Sequence, residues 1–217
     1  MDAESVKTSI YNDGFFYVED PVVGRRADAF AASGYPFQTE HGLEFLRAML
    51  DDKALQHTIE ISLGICGLGM FKPFGPHSGS TRALLNRTTD ELLALSVLAC
   101  RSGTRIILYK GSHTHMLDAE PGATGLLELP SPSMNRPGIT SVEVTMDEGG
   151  LVIADGRLFS TISEGVAIGV AFAVEKELQE WGKMLLPKMP ILERKVAEMQ
   201  RDKIKLNFNF VTIKSPE

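Results

Sequence analysis

Histidine is missing from residues 116–217, so the second half of this 217-residue chain offers no imidazole for metal binding or proton transfer. Such chemistry has to draw on His41, His57, His77, His113 and His115. Cysteine is scarce too. Cys66 and Cys100 both lie in apolar stretches and read as buried free thiols, not as a disulfide or a metal pair. The chain has no Gly-x-Ser-x-Gly elbow, P-loop or dinucleotide fingerprint, which excludes the common nucleophile and nucleotide sites. The start, Met1-Asp2-Ala3-Glu4-Ser5, lacks the basic and apolar regions of a secretory signal, so a cytoplasmic location is expected. The apolar run from Ile59 to Phe71 is too short and glycine-rich to span a bilayer. Basic residues are outnumbered, giving a net charge of -6 and a pI near 5.4. That argues against nucleic acid or an anionic membrane as partner.

What is present is an ordinary globular composition, 43% hydrophobic and 23% charged. It suits one domain over residues 1–217 with a full core. Residues 14–18 read as a short strand, residues 21–40 as loop, and His41–Lys53 as a helix from its apolar spacing of three and four. Gly64, Gly67 and Gly69 read as a break in regularity and Lys72–Ser80 as loop. Asp90–Cys100 reads as a doubly buried strand, and Arg105–Tyr109, Ser141–Thr145 and Leu151–Ala154 as further strands. Pro121–Pro137 reads as loop around a short strand at Leu126–Leu129. Val166–Val174 alternates strictly, with Val166, Ile168, Val170, Phe172 and Val174 on one face and only Ala and Gly on the other. The bare face implies either a closely packed neighbour or a cavity. Leu178, Trp181, Leu185 and Leu186 suit one helix ended by Pro187 and Pro190. Ile191, Leu192, Val196 and Met199 suit another. Asn207–Ile213 reads as an edge strand. Many short strands with helices at both ends predict a mainly β jelly roll, its core at about residues 60–175 and a helical segment at about 175–206.

Several ordered segments resemble phytanoyl-CoA-dioxygenase-like enzymes. Arg105–His113 resembles their strand and Gly-Ser-His turn. Asn12–Val18 resembles their first strand, and Gly149–Ala173 their closing strands with Arg-Leu-aromatic-His. Leu-Pro-Lys-Met-Pro at residues 186–190 is similar to fungal members in specialised metabolism. The resemblance implies a double-stranded β-helix, a cupin-like barrel with flanking N- and C-terminal helices. It also implies iron(II) held by His-x-Asp/Glu and a distal His, with 2-oxoglutarate anchored by an Arg on a late strand.

This chain departs from that pattern. His77-Ser78-Gly79 is the best candidate for the proximal motif, with Gly79 in the carboxylate position. Ser160 stands at the distal histidine, and no Arg lies between Arg157 and Arg194. Halide-accepting relatives also have a small residue at the carboxylate position, but they keep the second histidine. The expectation is therefore that iron(II) and 2-oxoglutarate are not bound, with His77, Gly79 and Ser160 as degenerate metal positions and no catalytic residue assigned. His77, Arg157 and Phe159 are the candidate pocket residues. An alternative metal set, His113-x-His115 with Glu120, resembles the first cupin motif but lacks its glycine at Ile107. These two histidines read as surface-turn residues. Arg157 reads as a structural ion pair with Glu164 or as an anion-binding group, and Asp90-Glu91 as a solvated turn. The resemblance implies a partner subunit shaping an active oxygenase homologue in terpenoid or meroterpenoid biosynthesis, as heterodimer or homodimer. The alternatives are a cofactor-independent isomerase or cyclase acting on a terpenoid or polyketide in the emptied barrel, and an iron oxygenase with atypical ligands.

Overall fold

A computed structural model describes residues 1–212. The chain opens with α1 (Ala3–Asp13), β1 (Phe15–Glu19), α2 (Pro21–Ala32), α3 (Glu40–Leu50) and α4 (Lys53–Leu63). The strands β2 (Cys66–Phe74), β3 (Ser80–Ala83), β4 (Ala94–Cys100), β5 (Thr104–Lys110), β6 (Glu120–Pro121), β7 (Leu127–Pro130), β8 (Thr140–Met146), β9 (Gly150–Asp155), β10 (Ser160–Glu164) and β11 (Ala167–Val174) follow. Then come α5 (Glu175–Leu178), β12 (Met184–Pro187), α6 (Pro190–Met199), β13 (Ile204–Leu206) and β14 (Phe208–Val211).

Two six-stranded sheets face each other, ordered β1-β9-β4-β11-β2-β13 and β6-β7-β3-β10-β5-β8. The chain alternates between them from β2 to β5 and again from β8 to β11, the winding of a double-stranded β-helix. The first sheet buries its outer face against the helices. Phe30, Leu46, Ile59 and Leu192 join Val97, Ile153, Val170 and Phe172 in one large core. The inner core between the sheets holds Met70, Phe74, Leu98, Ile106, Leu108 and Val152. Sheet residues therefore begin at β1 and end at β13, well outside the expected core of 60–175.

Several local expectations need correction. Residues 21–32 are helical, not loop. Asp20 caps α2 by accepting from the backbone N–H of Val22 and Val23 at 2.8 and 3.3 Å, and Pro21 stands in its first turn. Gly67 and Gly69 do not break regularity but lie inside β2. A Cβ at either would meet Leu178 or Trp181 at 2.3 Å, so the glycines let α5 lie close across the strand. Trp181, Leu185 and Leu186 are not helical. After Gly182 the chain extends as β12 and pairs in parallel with β14, so the second half of the expected helix is a strand. The segment 175–206 is thus helical only at α5 and α6. Ile213, the last residue of the expected edge strand, lies outside the described residues.

Candidate functional site in the cleft between the sheets

Ser160 opens β10, in the middle of the second sheet, with Arg82 of β3 directly opposite on one side and Leu108 of β5 on the other. Residues opposite each other in an antiparallel ladder share a face. Leu108 belongs to the inner core, so Ser160 and Arg82 also face the space between the sheets. That space is a narrow apolar cleft of about 60 Å³, lined by Met70, Leu98, Leu108, Val152, Arg82 and Ser160 among others.

Arg82 is the residue that sequence reasoning missed. Its side chain is 15% exposed, and its Nε donates to Glu128 Oε1 at 3.0 Å. Glu128 is its cross-strand neighbour on β7. Only the alternation Ser80, Thr81, Arg82, Ala83 hinted that Arg82 points inward; the pairing with Ser160 could not be read from the sequence.

His77 does not meet Ser160. Its backbone N–H donates to the Ile162 carbonyl, two positions along β10 from Ser160, on the order of 7 Å away along the strand. Its Nε2 is turned to Glu128 Oε2 at 3.6 Å. Gly79 sits in a left-handed turn, φ 87°, with no atom near where a Cβ would stand. His77 lines the cleft and Gly79 does not. A metal held against Ser160 would instead face Arg82 and Leu84, a cation and an apolar side chain. Of the nearby carboxylates, Glu128 is held by Arg82 and His77, and Asp155 accepts from Arg157 Nε at 2.9 Å, Nη2 at 2.6 Å and the backbone N–H at 2.8 Å. Among the described residues no three His, Cys, Asp or Glu side chains gather to hold a metal. The donor set at Ser160 therefore does not fit iron(II). Nor does a 2-oxoglutarate anchor fit on β11. A Cβ at Gly169 would meet the Phe74 ring at 2.3 Å, while Ala167 and Ala171 pack into the inner core. The bare face of β11 is thus filled by neighbours, and no β11 residue lines the cleft.

The other candidate pocket residues lie elsewhere. Phe159 is fully buried and packs on the outer side of the second sheet with Ala83, Leu117, Leu129 and Met134. Arg157 pairs with Asp155, not with Glu164, which meets Arg105 at 3.4 Å. Its Nη1 donates to the Thr89 carbonyl, and the Asp155 carboxylate raises its pKa above the ordinary arginine value. This pair borders a second cavity of about 520 Å³, lined by Lys7, Tyr11, Arg87, Asp90 and His113.

His113 is not a surface residue. It is 3% exposed, and its Nε2 lies 3.3 Å from the Tyr11 carbonyl at the end of α1. Its Nδ1 has no partner and faces Gly14, where a Cβ would stand 2.6 Å from it. Burial lowers its pKa, favouring the neutral ring. Next to it, Ser112 Oγ accepts from the Phe159 backbone N–H at 2.9 Å. The Gly-Ser-His turn thus ties α1, β5 and β10 together. His115 turns its Nδ1 to the Gly111 carbonyl at 2.9 Å, and Glu120 is exposed, so the cupin-like set does not converge. Burial pushes the Cys66 and Cys100 thiols up to about 12, which leaves both as unreactive thiols.

No family model matches the sequence, and no curated protein sequence is similar to it. Solved structures do share its fold. The non-heme epimerase SnoN, in complex with Fe3+, alpha ketoglutarate and nogalamycin RO, superposes with a TM-score of 0.53 at 12% identity, over 79% of this chain and 83% of that one. AviO1 from Streptomyces viridochromogenes Tue57 gives 0.53 at 17% identity, over 80% and 96%. EctD from S. alaskensis, with 2-oxoglutarate and 5-hydroxyectoine, gives 0.51 at 12% identity, over 81% and 77%. The chain has the mainly β, double-stranded β-helix fold of 2-oxoglutarate-dependent oxygenases and epimerases.

Proposed function

We propose that this chain is a metal-ligand-deficient member of the phytanoyl-CoA-dioxygenase-like group, acting in the cytoplasm as a non-catalytic partner subunit. It stabilises or shapes an active oxygenase homologue in natural-product biosynthesis, with terpenoid or meroterpenoid pathways the setting that its sequence resemblance suggests. One observation carries the reading: Arg82 and Leu108 flank Ser160 where an iron site needs donors. A guanidinium there repels a dication instead of binding it. The size of the cleft supports the same reading. Sites for drug-sized substrates usually enclose roughly 300–1,000 Å³, several times what remains here. The fold is kept while Phe74, Met70 and Leu98 narrow the space between the sheets.

Two measurements test this together. Elemental analysis after iron(II) loading and dialysis is expected to find well under one iron per chain. Co-expression with an oxygenase homologue from the same genome is expected to give a co-purifying complex with altered turnover. Stoichiometric retained iron, or no effect on any such homologue, overturns the proposal. The wider cavity beside Asp155 and Arg157 favours a second reading, a cofactor-independent isomerase or cyclase acting on a polyketide or terpenoid at that end of the fold. Loss of a conversion in Arg157→Lys at unchanged stability would select it.

A further inference from the structure

The cleft beside Ser160 has lost its metal donors but not its polarity. Arg82 donates only through Nε; no hydrogen bond among the described residues engages its two outer nitrogens. Ser160, directly opposite, has a hydroxyl with no partner in the same set. Two residues before Arg82 and on the same face, Ser80 Oγ is buried and unpartnered. A buried polar group without a partner costs about 1–3 kcal/mol, and this applies to the Ser80 hydroxyl, which with the unengaged outer nitrogens of Arg82 and the Ser160 hydroxyl calls for an acceptor. Charge agrees. Glu128 is shared between Arg82 and His77, while Lys72 donates to the Thr124 carbonyl and stands over the Phe74 ring. Burial first, and the nearby Arg82 charge second, lower the Lys72 pKa. Lys72 itself lies outside the cleft, so the cation that can meet an anion there is Arg82.

We infer that the cleft binds a small carboxylic acid with an apolar tail, its carboxylate on Arg82 and Ser160 and its tail between the sheets. A guanidinium suits the task because its outer nitrogens form a planar fork that matches two carboxylate oxygens. The tail would lie against Met70, Leu98, Leu108 and Val152. About 60 Å³ corresponds to roughly two waters at about 30 Å³ each, so a short tail of a few carbons fits. This inference rests on the reading that no iron sits at Ser160, but it does not need the partner role.

Titration calorimetry and thermal shift of the full chain, metal-free, with straight-chain carboxylates of four to ten carbons and the matching primary amides, test it. The expected result is saturable binding of the short carboxylates, with each amide at least tenfold weaker. Arg82→Gln is expected to lose tenfold or more for the carboxylates. Glu128→Gln, which frees Arg82 from its competitor, is expected to tighten them several-fold. Equal affinity for acid and amide overturns the inference, as does a folded Arg82→Gln chain that binds like the parent. If Arg82→Gln does not fold, Glu128→Gln decides, and no tightening overturns the inference. A parallel titration with iron(II) and 2-oxoglutarate keeps the two readings apart. Iron-dependent binding of 2-oxoglutarate removes the reading on which this one rests, while failure of the metal-free carboxylates removes this one alone.

Discussion

His113 sits where a second proton has no acceptor. Its Nε2 faces the Tyr11 carbonyl, and its Nδ1 is pressed against Gly14. Burial holds its folded pKa below the ordinary 6.5, with Arg157 acting in the same direction and Tyr11, Asp155 and Asp13 opposing. As pH falls through 6.5 the unfolded chain takes up the proton first, so stability declines from there until the folded pKa is passed. Above pH 7 this contribution is flat. The lowered carboxylates Asp28 and Glu44 start from 3.8 and 4.5 and act only at more acidic pH. The unfolding free energy from urea titration is therefore expected to fall between pH 7.5 and 5.5, by at most about 1.4 kcal/mol per pH unit, and His113→Gln is expected to lack that slope. Arg157 supports a second prediction. Arg157→Leu leaves the Asp155 carboxylate, 3% exposed, without its cation, and chemical denaturation should show a loss of about 3–5 kcal/mol. At this scale the sequence was half legible. Gly-Ser-His and Asp-Gly-Phe stood out as motifs, but that one holds the other could not be seen, because Gly14 and His113 meet only in the folded chain.

Among the elements, β11 was the most legible. Its strict alternation matches burial on both faces, with Ile168, Val170 and Phe172 against the helical layer and Ala167 and Ala171 against the inner core. β2 was the least legible, because its glycines look like breaks unless α5 is already in place above them. That packing makes a prediction at the same scale. Gly69→Val would drive a branched side chain into Trp181 and is expected to destabilise by about 1–3 kcal/mol, while the far-UV signal of the sheets persists. β12 was misread for a related reason. Its leucines fit a helix locally, and only pairing with β14, 24 residues further on at Met184 and Phe208, fixes it as extended. Short segments whose state depends on a distant partner are where local periodicity loses its hold.

For the molecule as a whole, β1 from the N-terminal region and β13 from the C-terminal region are the two edges of one sheet. The helices between them share the core with that sheet. Unfolding is therefore expected in one step, with the far-UV signal and the fluorescence of the single tryptophan, Trp181, changing at the same urea concentration. The candidate site was legible in outline only. Ser160 as the distal position is what the family resemblance implies, and the residue lies in the facing cleft. For His77 the loop offers no register, whereas the ladder sets Arg82 opposite Ser160. This pairing bears on how the fold can be re-engineered. Ser160→His alone would set a new imidazole beside a fixed positive charge and leave iron no second donor. Building a metal centre there thus means exchanging both strands of the ladder together, since neither change is useful until the other is made.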